Sequence, residues 1–185
     1  MKIVVSEFVS LDGVMESPGG EGNYKYKGWT MPYVSDTFLK FKRDELFAAD
    51  GLLVGRVTYE IFASAWPKMP DTSDFGERMN NLPKYVLSHT LKELSWNNSR
   101  LITLKEIPNL KQAPGRDILV FGSGMLSEAL MEQDLIDEYR LLIYPVVLGE
   151  GKRLLRDGVH ATLELTETRP LDKGVVLVRY IPAGR

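Results

Sequence analysis

Residues 117–133 constrain the fold more tightly than any other stretch of the chain. Asp117 to Phe121 (DILVF) is a short apolar, β-branched run, and it passes directly into Gly122-Ser123-Gly124 and a helical pattern from Met125 to about Gln133. A strand that feeds a helix through a glycine turn needs a sheet for the helix to pack back on. That requirement selects an α/β architecture. Lys2 to Ser10, with Ile3, Val4, Val5, Phe8 and Val9, reads as another central strand, and Gly51 to Gly55 and Lys84 to Ser88 as two more. Arg100 to Leu104 adds a short one.

Helices are expected between these strands. Val34 to Ala49 places Val34, Phe38, Leu39, Phe41 and Leu46 on one broad face with Ser35 as cap, and Arg56 to Ala65 begins a second helix. Pro67 to Pro83 reads as polar and turn-rich with room for one helical turn, and Ile107 to Pro114 as turn-rich. The last third changes character: Glu138 to Leu148, Thr162 to Thr168 and Val175 to Ile181 are strands without helices between them, with Pro170 and Gly174 in the turn before the last. The architecture implied is a single α/β domain over residues 1–185, a mostly parallel mixed sheet between helical layers, closed at one edge by a C-terminal antiparallel hairpin. The apolar Val175 to Ile181 is expected at an exposed edge, which points to a homodimer.

Composition excludes several chemistries. The chain has no cysteine, so thiol nucleophiles, disulfide frameworks and cysteine zinc sites are out. Its 23 Lys plus Arg against 25 Asp plus Glu leave a net charge of −2, without the basic excess that nucleic-acid binding uses. No apolar run approaches the ~20 residues of a membrane-spanning helix, and the N-terminus does not read as a secretion signal, so a cytoplasmic protein is expected. The two histidines, His89 and His160, are too far apart in sequence for a metal motif, and no metal is expected.

Two segments carry anion-binding chemistry. Gly122-Ser123-Gly124 opens a helix whose first amides and dipole suit a pyrophosphate, although the same residues would also serve as a plain tight turn. Gly55-Arg56-Val57-Thr58 repeats the design with a cation and a hydroxyl added. There, too, Thr58 could be only a cap and Arg56 only a solvated charge. Two such starts in one domain favour a dinucleotide over a single phosphate. Hydride transfer asks least of the side chains, because the cofactor carries the chemistry. Glu16 to Tyr33 combines four glycines with Tyr24, Tyr26, Trp29 and Tyr33, which suits either a lid or a loop pinned by its aromatics. Asp36 is a candidate proton donor if buried and otherwise a first-turn acid. Asp44, Glu45 and Asp50 read as a solvated helix face and its exit. Lys152, Arg153 and Arg156 read as a solvated basic cluster or a phosphate site.

As a set, SLDGVME, GWTMPY, LLVGRVTYE, YVLSHT, DILVFGSGMLSEALM and YPVVLGEGKRLL resemble, in order, the dihydrofolate reductase fold. The closer likeness is to relatives that resemble the C-terminal reductase domain of riboflavin biosynthesis. The resemblance implies a three-layer αβα sandwich and an NADPH site. In it Gly55, Arg56, Val57 and Thr58 meet the cofactor's phosphates, Ser88 and His89 border the adenosine, and Phe121, Gly122, Ser123, Gly124 and Met125 lie under the pyrophosphate. Phe8, Val9, Asp12 and Val14 would border the nicotinamide, Phe8 also facing the substrate with Trp29, Tyr33, Leu148 and Gly149. Asp36 falls beside the place where folate-reducing members carry an acid in the first helix. The implied activity is hydride transfer to a phosphoribosyl-pyrimidine or pterin-like molecule. The alternative is a non-catalytic nucleotide- or pterin-binding module that kept the fold.

Overall fold

The structure is a computed structural model, and it describes residues 1–69 and 74–184. Its strands are β1 (Ile3–Ser10), β2 (Ala49–Gly55), β3 (Lys84–Leu87), β4 (Ser99–Ile102), β5 (Asp117–Val120), β6 (Glu138–Tyr144), β7 (Leu163–Pro170) and β8 (Val176–Pro182). They form one sheet in the order β4-β3-β2-β5-β1-β6-β8-β7. The pairs from β4 to β6 are parallel, and β8 runs antiparallel to both β6 and β7. The helices are α1 (Asp36–Ala48), α2 (Arg56–Ala65), α3 (Asp74–Asn81), α4 (Ile107–Gln112) and α5 (Gly124–Glu132).

Alternation along the central strands sorts the helices into two layers. Ile3 and Val5 of β1, with Leu53, Ile118 and Val120, pack against Ile107 and Leu110 of α4 and Leu126 and Leu130 of α5. Val4, Leu52, Val54, Val86 and Leu119 face the other way, onto Leu46 of α1, Tyr59 of α2 and Met79 of α3. Ile3, Val4 and Val5 have no exposed surface, because a central parallel strand is covered on both faces. The three-layer α/β expectation holds.

Several local expectations are corrected. Helix α1 starts at Asp36, with Ser35 capping through the Phe38 amide at 3.3 Å, and Leu39 is 53% exposed rather than inward. Residues 107–112 are helical, since Pro108 in the first turn forgoes only an amide that has no intrahelical partner. The one helical turn expected within Pro67 to Pro83 is in fact the whole of α3; a short 3-10 turn at Trp66–Lys68 precedes it, and residues 70–73 lie outside those described. Pro145 stands just beyond β6, which ends at Tyr144 rather than Leu148. The last strand is not an edge: β8 lies between β6 and β7, so the edge on that side is β7, whose side chains are mostly exposed. Val175 to Ile181 therefore gives no argument for a dimer.

A charged network is buried on the α1 side. Arg140 of β6 meets Glu138 and Asp117 at 2.7 Å and Glu45 at 3.4 Å, while Lys42 of α1 holds Glu45 at 2.6 Å. Glu45 is 5% exposed and so does not belong to a solvated face. Asp44 and Asp50 do lie at the surface side, paired with Lys40 and Arg116. Opposite charges at close range with mutual hydrogen bonds let this cluster exist in a low-dielectric layer.

Candidate active site

The topology puts a crevice where the chain changes direction across the sheet. β1 continues through α1 to β2 on one side, whereas β5 continues through α5 to β6 on the other, so the carboxyl ends of neighbouring β1 and β5 open onto a switch point. Register then decides which residues meet there. Val5, Val120 and Leu53 are aligned across β1, β5 and β2. Beyond this row β1 runs on through Glu7, whereas β5 ends at Val120 and the chain turns away at Gly122.

The two glycine turns are tied into one unit. Thr58 donates its hydroxyl to the Gly122 carbonyl at 2.9 Å, and the Ser123 hydroxyl lies 2.9 Å from that of Thr58. The Gly55 amide donates to Ser123 Oγ at 3.1 Å. Gly122 adopts φ +61°, and a Cβ there would press on Thr58 Cγ2 at 3.3 Å, so glycine answers both a backbone and a space requirement. Helices α2 and α5 both start here, and neither has a side-chain cap, in contrast to α1. Uncapped amides at two converging helix starts suit a pyrophosphate-bearing ligand.

Around this knot the sequence-stated candidates separate. Arg56, Val57 and Met125 are exposed, and among the described residues Arg56 is engaged by Glu60, one turn along α2, at 2.9 Å. Gly122 and Gly149 are exposed, while Gly55 and Gly124 are partly so. Thr58, Ser123 and Phe121 are buried and shape the floor from beneath. Ser88 accepts from the Thr90 and Leu91 amides in the turn after β3, and His89 is exposed beside it.

On the β1 side the loop residues act through one another. Asp12 takes a proton donor from Ser10 at 2.7 Å and accepts from the Gly149 and Leu148 amides at 2.7 and 3.1 Å. The Ser10 hydrogen bond first, and these amides after it, lower its carboxyl to about 2. Asp12 is thus a clamp between the loops after β1 and β6. Val14 has no exposed surface and Val9 is 8% exposed, so their side chains pack under the loop instead of lining the crevice. Their backbone, at the end of β1 and in the loop after it, is the part left to border a ligand.

The aromatic loop is pinned. Trp29 donates its indole N–H to the Glu16 carbonyl at 2.8 Å, Tyr24 donates to the Glu150 carbonyl at 2.6 Å, and Thr30 donates to the Pro18 carbonyl at 2.7 Å. Phe8, Trp29 and Tyr33 each meet the Tyr144 ring edge-on, with centroids 5.2–5.8 Å apart. Trp29 is 7% exposed, whereas Phe8 and Tyr33 are half-buried at the mouth. Leu148 is buried in the same cluster. The Tyr144 hydroxyl lies at the centre, buried without a hydrogen-bond partner, and burial raises its pKa above the ordinary phenol value.

Asp36 is exposed in the first turn of α1, so the burial on which its proton-donor role depended is not met. The acid that sequence reading passed over is Glu7. It is 4% exposed, accepts from the Ser123 amide at 3.2 Å, and burial pushes its carboxyl up to about 8. The signal was available: Ile3, Val5 and Glu7 alternate onto one face of a central strand, where a carboxylate is out of place. Of the basic cluster, Lys152 pairs with Glu16 and Arg156 with Glu128, while Arg153 donates to the Asp12 carbonyl at 3.2 Å. No group of three or more potential metal ligands occurs among the described residues. None of the described helices is long and apolar enough to cross a membrane.

Comparison with known proteins agrees with this geometry. Residues 1–177 match the family described as RibD C-terminal domain. The uncharacterized protein YyaP of Bacillus subtilis is 33% identical, the match covering 97% of this chain and 94% of that one. A putative riboflavin biosynthesis protein from Shewanella superposes with a TM-score of 0.73 at 21% identity, over 98% of this chain and 99% of that one. Dihydrofolate reductase from Enterococcus faecalis, in complex with NADP(H), superposes with a TM-score of 0.66 at 15% identity, covering 98% and 96% of the two chains. The fold is therefore dihydrofolate reductase-like, as the six sequence segments implied.

Proposed function

Because the chain belongs to the RibD C-terminal domain family, we propose that it is an NADPH-dependent reductase that transfers a hydride to a small heterocyclic substrate, phosphoribosyl-pyrimidine-like or pterin-like. The observation that carries this reading is the convergence of two uncapped helix starts on the knot of Gly55, Thr58, Gly122 and Ser123. The residues fit the cofactor: Gly122 is exposed and Gly124 partly so, at a helix start without a side-chain cap, where the first amides of α5 can meet phosphate oxygens.

When bound, NADPH supplies the hydride and carries the redox chemistry. The chain's own part is to bind and orient. The amides opening α2 and α5 would hold the pyrophosphate, and Arg56 would exchange Glu60 for the cofactor's 2′-phosphate, with Ser88 and His89 flanking the adenosine side. Phe8 and Tyr33, exposed in part beside the Tyr144 ring, offer an aromatic wall to a planar substrate, and Gly149 offers open backbone opposite. Asp12 holds that backbone in place. The cytoplasm and a homodimer belong to the same reading, with β4 and β7 as the sheet edges available for association. A monomer mass in light scattering at micromolar concentration would remove the dimer.

The test is titration of the purified protein with NADPH and NADH, followed by nicotinamide fluorescence and thermal stabilisation. Saturable binding with NADPH preferred is expected, and Arg56→Glu should abolish the preference. A charge-reversed protein that still prefers NADPH would remove Arg56 from the site. A non-catalytic binding module is favoured by one observation: Glu45, the buried acid of α1, is already engaged by Lys42, Ser6 and Arg140. That reading predicts cofactor binding with no oxidation of NADPH by any pterin or pyrimidine offered.

A further inference from the structure

Glu7 has no role in the reading so far, yet it stands directly behind the proposed phosphate site. We propose that Glu7 is a positioning residue that couples one proton to anion binding at the start of α5. Uncharged, it leaves the turn free to present its amides to a phosphate; ionised, it draws those amides inward and repels the ligand. The inference rests on the reading of the crevice as a dinucleotide-phosphate site.

The geometry is specific. Glu7 projects from β1 on the α5 side, alternating with Ile3 and Val5, and its Oε1 accepts from the Ser123 amide at 3.2 Å. The neighbouring Gly122 backbone also favours the ionised form of this carboxyl. The Ser123 amide belongs to the turn that would otherwise offer it to a ligand from the crevice side. A buried carboxylate and a bound phosphate would thus compete for one set of donors, with two like charges on either side of a single turn.

The surroundings do not neutralise Glu7 in advance. From α1 it faces Lys42, which favours its charge, and Glu45, which opposes it. Lys42 is already held by Glu45 at 2.6 Å and by Ser6 Oγ at 3.0 Å, so it is not a dedicated counterion. From β6 the residue in register is Leu141, and from α2 the nearby knot residue is Thr58; neither carries a charge. On α5 the acid Glu128 is tied to Arg156. Burial is the largest influence on Glu7, and the carboxyl titrates near the working range of an enzyme, at about 8. Binding an anion beside it raises that value further, and by reciprocity ionising Glu7 weakens the anion.

The experiment measures the NADPH dissociation constant of the full chain and of Glu7→Gln from about pH 7 to about pH 9.5, above the range in which a phosphate monoester titrates. The wild-type constant is expected to rise toward tenfold per pH unit above about pH 8, whereas the glutamine variant stays flat, because one proton is taken up per ligand bound. Lys84 also titrates in this window, but it is common to both proteins and so cancels in the comparison. Should the variant fail to fold, carboxyl carbon NMR of the wild-type protein gives a second measure: the Glu7 midpoint should move up when NADPH is added. Binding that is equally flat, or equally pH-dependent, in both proteins overturns the role of Glu7 and leaves the dinucleotide reading intact, and so does an unmoved midpoint. Absence of NADPH binding by either protein at every pH overturns both.

Discussion

The Thr58 hydroxyl reaches across two strand ends to the carbonyl of Gly122 at 2.9 Å, and with the Gly55–Ser123 and Ser123–Thr58 bonds it fixes the start of α2 against the turn that opens α5. Thr58 is buried and within hydrogen-bond distance of Ser123 Oγ, so it is a node and not merely a helix cap. Thr58→Val keeps shape but removes the hydroxyl. It should cost about 0.5–1.5 kcal/mol in urea unfolding, the net worth of one intramolecular hydrogen bond. NADPH affinity should fall in the same variant, since both helix starts lose their mutual alignment.

Asp12 makes a different kind of prediction, because its acceptors are used by backbone. Asp12→Asn would set an amide N–H against the Gly149 amide or against the Leu148 amide, whichever way the side chain turns. Faster hydrogen exchange at Leu148 and Gly149 is expected, with β6 itself unchanged. The wild-type clamp is also acid-sensitive. Its carboxyl lies below the unfolded value of 3.8, at about 2, so its contribution is present above about pH 4 and is lost as the pH falls through 2.

The elements that sequence made legible are those whose signal is local. Asp117 to Phe121 entering Gly122 is a strand-turn-helix on composition alone, and the structure bears it out. Glu45 was misread because its charge suggested solvent, whereas its partners Arg140, Ser6 and Lys42 are supplied from two strands and a helix. The place of β8 between β6 and β7 is likewise a long-range pairing, invisible in a run of apolar residues. Glu7 lay between these cases. Its alternation with Ile3 and Val5 announced a buried acid, but only the register of β1, β5 and β2 shows that it meets Gly122 and Ser123.

Tyr144 tests whether the aromatic cluster exists for packing or for a ligand. Its hydroxyl is buried and unpaired, surrounded by the rings of Phe8, Trp29 and Tyr33. Leaving such a group unmatched costs about 1–3 kcal/mol, so Tyr144→Phe should raise thermal stability in the free protein. A matching fall in substrate affinity, with NADPH binding unchanged, would show that a substrate supplies the missing partner. Increased stability without any change in turnover would make the cluster purely structural.

Lys84 gives the fold a pH dependence that can be separated from the site. It has no exposed surface, its ammonium donates to the Asn80 and Asn97 carbonyls at 2.5 and 2.8 Å, and it lies 4.2 Å from the Trp96 ring centre. Among the described residues no carboxylate pairs with it, and burial lowers its pKa from 10.5 to about 8. The unfolded chain therefore holds this proton more tightly than the folded one between those values, and stability contributed by Lys84 rises with pH across that interval. Urea unfolding at about pH 8 and about pH 10 should show this rise in the wild-type protein relative to Lys84→Met, which lacks the titrating group. If the two proteins change in parallel, Lys84 is charged and solvated in the folded state, and its place beneath Trp96 would have to be abandoned.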